Sequence, residues 1–246
     1  MELTVLGCSG SYGAPAGGAC SGYLVRSAGA LLWLDCGNGT LVNLQRQAAV
    51  DDLTAVVLTH WHPDHCVDVY GLHVLLKYGL RRTGVPLFAP EGTEERLGTL
   101  VDGDWGGVFA WTAVGDGDAV TAGDCGLRFS RTAHPPPTLA VEASSSGKRL
   151  IYTADTGPDW SVGAFAPGAD LVLSEASFQG DGGPTGAETI HLSARQAGAA
   201  ARAAGARRLM LTHLWPGLDP NASVVEGSEA FGREVLLAAP HQRTRI

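Results

Sequence analysis

The sequence predicts a layered α/β protein with two sheets inside and helices outside. Three observations predict it. Short apolar runs recur along the 246 residues, each stopped by Gly, Pro, Asp or His. Strand-type runs come first in clusters and then alternate with helical spacing in both halves, a pattern that suits a layered sandwich. One form also repeats. Ala-Val-Val-Leu-Thr-His60 and Arg-Leu-Met-Leu-Thr-His213 share it, and Arg-Leu-Ile-Tyr-Thr-Ala-Asp155 is close to it. In each, a buried strand runs out through Thr and delivers a metal-ligand type of side chain at its C-terminal end, where α/β sheets usually bind ligands.

The elements follow in order. Leu3–Leu6, Gly22–Val25 and Ala30–Leu34 read as a three-stranded meander. Thr40–Ala48 has helical spacing, and Thr54–Leu58 is an apolar run of buried-strand type. A helix is expected from about Asp64 to Tyr78, a strand at Val85–Ala89 and a helix over Glu91–Val101. Strands are expected at Val108–Val114, Leu127–Thr132, Thr138–Ala143, Arg149–Thr153 and Asp170–Ser174. Ser193–Ala204 is the clearest helix, with Ser193 as N-cap and Ala through its interior. A strand at Arg208–Leu211, a helix at Val224–Arg233 and a strand at Val235–Ala238 complete the chain, which reads as a single domain over 1–246.

Composition narrows the function. Hydrophobic residues make up 45%, enough for a sizeable core. The net charge of -8 should repel a polyanion, so duplex nucleic acid is an unfavourable partner. The five cysteines form no C-x-x-C pair, which argues against a disulfide framework or a zinc ribbon and fits a reducing cytoplasm. The start, Met-Glu-Leu-Thr-Val-Leu, lacks the basic region of a signal peptide, and no apolar run approaches bilayer-spanning length, so no membrane partner is expected.

The chemistry concentrates in Thr59-His60-Trp61-His62-Pro63-Asp64-His65, an H-x-H-x-D-H string where a strand turns into a helix. His60 and His62 are two apart, as extended backbone requires if both are to face one ion. Asp64 and His65 lie on the turn beyond and can face a second. Imidazole with carboxylate suits Zn²⁺, with Mn or Fe admitted where oxygen ligands accumulate. His134, Asp155 and His213 each follow an apolar run and precede a turn or an irregular loop. With the string they complete two shells: His60, His62 and His134 on one ion, Asp64, His65 and His213 on the other, and Asp155 between them. Several residues are set aside. His73 reads as a helix histidine, His241 as solvated, Cys66 as a small buried thiol and Gly7–Gly18 as a strand connection. Gln179–Ala187, rich in Gly, is a lid or a linker.

The order H-x-H-x-D-H, His, Asp, His resembles the metallo-β-lactamase superfamily over essentially the whole chain. Leu-Gly-Cys-Ser-Gly-Ser near the start, Leu-Asp-Cys-Gly-Asn-Gly at 34–39 and Thr-Ala-Asp155-Thr-Gly fall where that superfamily puts such elements. The resemblance implies its four-layer αβ/βα sandwich, two mixed sheets flanked by helices. Asp155 stands at the bridging position where true β-lactamases carry Cys, which points to the hydrolase branch.

Ser174-Glu175-Ala176-Ser177 and His191-Leu-Ser-Ala-Arg-Gln-Ala-Gly are similar to motifs of the ribonuclease Z and cyclic-nucleotide phosphodiesterase branch. There the His donates a proton to the leaving oxygen and the Glu orients it. That implies catalytic roles here for His191 and Glu175, while Asp64 can accept a hydrogen bond from the nucleophile as it ligates. The closest likeness is to the short actinobacterial phosphodiesterase type, carried by Gly-Cys-Ser-Gly-Ser-Tyr, Leu44-Gln-Arg, Asp64-His-Cys-Val-Asp and Leu237-Ala-Ala-Pro. The loops after His134 (Pro-Pro-Pro-Thr-Leu-Ala) and His213 (Leu-Trp-Pro) depart from that type, and both would border the substrate.

Two readings of the substrate follow. One is a small nucleotide, a 3′,5′-cyclic one opened to the 5′-monophosphate by a hydroxide held between two divalent ions, with His191 as general acid. The other is a lactone, thioester or amide metabolite using the same metals. A scaffold without turnover is disfavoured because all seven ligand positions and the acid are present. The long-armed ribonuclease Z type grips tRNA through an arm between the third metal His and the bridging Asp. Here only 21 positions separate His134 from Asp155, too few for one. A homodimer is the expected assembly.

Overall fold

The computed structural model describes residues 1–15, 18–101, 105–180 and 190–246. Fourteen strands form two seven-stranded sheets among the described residues. The first sheet contains β1 (Glu2–Gly7), β2 (Gly22–Arg26), β3 (Leu31–Leu34), β4 (Ala55–Val57), β5 (Val85–Pro90), β6 (Phe109–Val114) and the C-terminal β14 (Arg243–Arg245). Its order is β14-β1-β2-β3-β4-β5-β6. The second contains β7 (Ala119–Ala122), β8 (Cys125–Arg131), β9 (Leu139–Ser145), β10 (Lys148–Tyr152), β11 (Leu171–Glu175), β12 (Leu209–Thr212) and β13 (Leu236–Leu237), in the order β13-β12-β11-β10-β9-β8-β7.

Both sheets are mixed in the same way. The expected meander β1-β2-β3 is antiparallel, and β3 to β6 are then parallel. In the second sheet β7 to β10 are antiparallel and β10 to β13 parallel. Alternation along the strands makes the layers. Leu32 and Leu34 of β3 join a core shared by the two sheets, while Leu31 and Trp33 join a core on the outer face. That outer core packs α1 (Thr40–Gln47) and α3 (Asp68–Val74) on the first sheet. A third core packs α5 (Val162–Phe165), α6 (Ala194–Ala203) and α7 (Pro220–Phe231) on the second. The result is the four-layer sandwich that the resemblance implied.

Several expected elements differ in detail. The single helix from Asp64 to Tyr78 is α2 (Pro63–Cys66), then α3, then a π-helical stretch at Leu75–Leu80. The helix over Glu91–Val101 is α4 (Thr93–Gly98) followed by a 3₁₀ turn. β7, α5 and β14 were not expected. Ser193 caps α6 as expected, in a full capping box: its hydroxyl accepts from the Gln196 N–H, and the Gln196 side chain accepts from the Ser193 N–H. No helix among the described residues is long and apolar enough to cross a membrane. Of the stretch at 179–187, residues 181–187 lie outside the described residues.

Candidate metal centre

The parallel strands of both sheets end at one cleft. After β4, Thr59 is fixed through its N–H and hydroxyl, both donating to Asp35 at 2.8 and 2.9 Å. His62 is extended, and Pro63 then opens α2 as its first residue, which puts Asp64 and His65 on the first turn. Asp155 lies beyond β10, and His213 immediately follows β12. Asp35, Ala154 and His213 all have positive φ, at 56°, 51° and 56°. Non-glycine residues in this region are strained by about 1–3 kcal/mol each, so backbone strain collects at the strand ends that aim the site.

The seven expected ligands converge. His60, His62, His134 and Asp155 form one group of mutually close ligand atoms, and Asp64, His65 and His213 form another. His62 Nδ1 lies 3.1 Å from His60 Nε2 and 3.3 Å from His134 Nε2. His213 Nε2 lies 3.2 Å from both His65 Nε2 and Asp64 Oδ2. Asp155 lies between the groups: Oδ1 is 3.3 Å from His65 Nε2 and 3.5 Å from His213 Nε2, and Oδ2 is 3.8 Å from the Nε2 of both His60 and His134.

These spacings fit divalent metal ions. Tetrahedral ligand atoms about 2.0–2.1 Å from zinc stand roughly 3.3–3.4 Å apart. Asp155 Oδ1 is buried without a hydrogen-bond partner, which costs free energy unless a cation meets it. The ring nitrogens facing one another also cannot all be satisfied by hydrogen bonds, since each such bond needs one lone pair and one proton.

The second ring nitrogens are held. His65 Nδ1 lies 2.8 Å from Asp35 Oδ2, His134 Nδ1 donates to the Ile190 carbonyl at 3.0 Å, and His213 Nδ1 is 2.9 Å from Ser177 Oγ. Each contact turns the opposite nitrogen's lone pair toward the cleft. Burial pushes the pKa of His60, His62 and His134 down, so these imidazoles are neutral, as metal ligation requires. Burial also acts to raise Asp155 and Asp64, but the neighbouring histidines outweigh it and hold both well below the usual carboxylate range.

Glu175 and His191 lie beside this cluster. Glu175, at the end of β11, is fully buried. Its Oε1 is 3.1 Å from His191 Nδ1, and its Oε2 accepts from the Ser177 hydroxyl at 2.7 Å and the Leu192 N–H at 3.2 Å. His191 Nδ1 is also 4.0 Å from Asp155 Oδ2, and His191 groups with Asp155 and His213 in a third set of close ligand atoms. Burial lowers the His191 pKa, but the Glu175 carboxylate outweighs it and raises it to about 9. His73, set aside in the sequence, is buried and edge-on to Trp105, while His241 is exposed.

The chain matches the β-lactamase superfamily domain over residues 32–214. It belongs to the β-lactamase superfamily. Three proteins resemble it along most of their length. The ML1173 protein of Mycobacterium leprae is 36% identical over 242 residues, covering 94% of this chain and 84% of its own. The probable metallo-hydrolase YhfI of Bacillus subtilis is 33% identical over 218 residues, 87% of each chain. The crystal structure of YhfI, a metallo-β-lactamase fold protein, superposes with a TM-score of 0.88 at 29% identity over 99% of this chain and 98% of its own. A ribonuclease Z of Halorubrum lacusprofundi is 28% identical, covering 96% of this chain and 94% of its own. As a β-lactamase superfamily member with a His and Asp cluster able to bind metal, this chain is a metallo-hydrolase.

Sequence reasoning missed Asp35 and Ser177 as parts of the site. Asp35 is fully buried and holds Thr59, His65 and the Tyr152 hydroxyl, the last donating at 2.8 Å. It follows the end of β3, but its partners come from distant parts of the chain, so its position alone does not disclose its role. Ser177 joins His213 to Glu175 and lies inside the quoted Ser-Glu-Ala-Ser motif, where only the Glu had been given a role.

Proposed function

We propose that this metallo-hydrolase is a phosphodiesterase that opens a 3′,5′-cyclic nucleotide to the 5′-monophosphate, using two divalent metal ions, zinc by ligand type. The observation that carries the reading is the Glu175–His191 pair, 3.1 Å apart and beside Asp155. An alkoxide leaves poorly without a proton, and a protonated imidazole fixed at the edge of the cluster supplies one.

His60, His62 and His134 would hold one ion, Asp64, His65 and His213 the other, and Asp155 both. Bound ions would lower the pKa of water toward neutrality and neutralise charge on the phosphoryl oxygens. The chain's own residues do the rest. Asp64, whose Oδ2 also accepts the Ser11 N–H at 2.9 Å, takes a hydrogen bond from the attacking water. The water gives up one proton to solvent as its oxygen bonds to phosphorus, the P–O3′ bond breaks, the His191 proton passes to O3′, and His191 is reprotonated from solvent. Glu175 keeps the imidazole oriented and charged until that moment. Asp35, through His65, and Ser177, through His213, fix the ligand rings.

The segment from His134 to Asp155 is filled by β9, a turn and β10, and the net charge is -8; both favour a small substrate over tRNA. Metal-replete protein should hydrolyse bis(p-nitrophenyl) phosphate and convert cyclic AMP to 5′-AMP while leaving precursor tRNA untrimmed. Inert phosphodiesters together with turnover on a lactone, thioester or amide panel would replace the reading.

A further inference from the structure

The rim of the cleft carries a row of aromatic rings that the hydrolytic machinery does not use. Phe178 is buried and sits edge-on to His191, with centroids 5.9 Å apart at 83°. Trp215 stacks on Phe178 at 6.3 Å and 28°. Tyr12 meets Trp215 edge-on at 6.0 Å and 88°. The row therefore starts at the proposed acid and ends in solvent, where Trp215 is 38% and Tyr12 52% exposed. Exposed aromatic rings next to a catalytic cluster are the informative kind of exposed apolar surface.

The rings are held by the backbone that builds the site. The Trp215 N–H donates to the Ser177 carbonyl at 3.4 Å, and the Gly10 N–H to the Leu214 carbonyl at 3.0 Å. The Ser9 hydroxyl donates to the Tyr12 carbonyl at 2.7 Å, and the intervening Ser11 N–H donates to Asp64. A Cβ on Gly10 would lie 2.6 Å from the His213 carbonyl oxygen, so the glycine lets this loop sit against the ligand strand.

We propose that Trp215, flanked by Tyr12, is the surface on which the nucleobase of the substrate stacks. This rests on the phosphodiesterase reading, which puts the phosphate at the cluster and the leaving O3′ at His191. The sugar then directs the base outward along the ring row. Stacking on an aromatic face is worth about 1–3 kcal/mol per base and tolerates any base, with purines offering the larger face. The substrate class is thus a nucleoside cyclic phosphate recognised through its base, with Trp215 as a specificity-determining residue.

Two measurements test it on metal-replete protein. The first compares kcat and KM for cyclic AMP and for methyl riboside 3′,5′-cyclic phosphate, which has the same reacting ring and no base. Trp215→Ala should raise KM for cyclic AMP roughly 10-fold more than for the base-free diester, at the low end of one stacked base. Kcat should move little, Trp215→Phe should recover most of the loss, and Tyr12→Ala should show a smaller version. The second is calorimetric binding of 5′-AMP and ribose 5-phosphate, which needs no turnover. Wild type should prefer 5′-AMP, and Trp215→Ala should lose that preference. Equal wild-type affinity for the two, or equal KM losses on the two diesters, overturns the platform and leaves the phosphodiesterase reading standing. Inertness of both diesters overturns the phosphodiesterase reading, while a 5′-AMP preference that depends on Trp215 still supports the platform.

Discussion

His191 and Asp155 lie 4.0 Å apart and yet serve different ends, and a leaving group can separate them. If His191 is the acid, His191→Ala should keep its metal content and lower kcat on cyclic AMP by roughly 10²–10⁴-fold. With p-nitrophenolate, which departs without a proton, the loss should be far smaller. Glu175→Gln should give a weaker form of the same pattern. It should also move the alkaline fall in rate to lower pH, because the carboxylate raises the His191 pKa and an acid works only while protonated. Steady-state rates on both substrates, a pH profile and elemental analysis decide it; metal loss in His191→Ala would make His191 a ligand instead. At this scale the residues that gather at the candidate site were mostly legible. The H-x-H-x-D-H string and the strand-end His and Asp residues advertise themselves, because ligand chemistry needs particular side chains. Asp35 does not, since its task is to hold Thr59, Tyr152 and His65 from distant parts of the chain, a relation no local pattern contains.

Elements were legible where their pattern is self-contained. β3 and β4 are apolar throughout, and β11 is apolar up to Ser174, because they are buried on both faces. β14, Arg-Thr-Arg, exists through its pairing with β1, and β7, an edge strand of mostly half-exposed or exposed residues, has no apolar alternation to read. The α6–α7 contact shows a further feature that the sequence conceals. A Cβ on Gly198 of α6 would stand 2.5 Å from the Gly227 carbonyl oxygen of α7. Gly198→Ala should therefore push the helices apart and cost about 1–3 kcal/mol in urea unfolding despite the better helix propensity of Ala. Asp170 makes a pH-dependent tie between elements. Its carboxylate accepts from the Arg149 N–H and pairs with Lys148 and Arg207. Burial acts to raise its pKa, but these partners outweigh it and lower it. A depressed carboxylate contributes stability above its unfolded pKa of about 3.9 and loses it as pH falls through the folded value. Asp170→Asn should cost up to about 1 kcal/mol near neutral pH, and its gap from wild type should close under acid in paired melts.

Across the whole molecule the candidate ligands divide between the sheets. His60, His62, Asp64 and His65 follow β4 of the first sheet, while His134, Asp155 and His213 follow β8, β10 and β12 of the second. Ions shared by these residues would stitch the two halves at the open end of their common core. The folded chain alone assembles that ligand set, so bound metal stabilises it by mass action, about 2.7 kcal/mol at a free concentration 100 times Kd. For a chain of this length that corresponds to a drop of roughly 5–10 °C in Tm when a chelator strips the metal. Treating 1–246 as one domain, a single cooperative transition is expected before and after. Asp155→Ala provides the control. It removes the carboxylate placed to serve both groups, so the variant should bind metal poorly and its Tm should hardly respond to chelator. Scanning calorimetry with and without chelator, together with elemental analysis showing about two ions per wild-type chain, makes the check. Equal chelator shifts in wild type and Asp155→Ala would mean that the stabilising metal sits elsewhere, and no shift in wild type would mean that the sheets hold together without it.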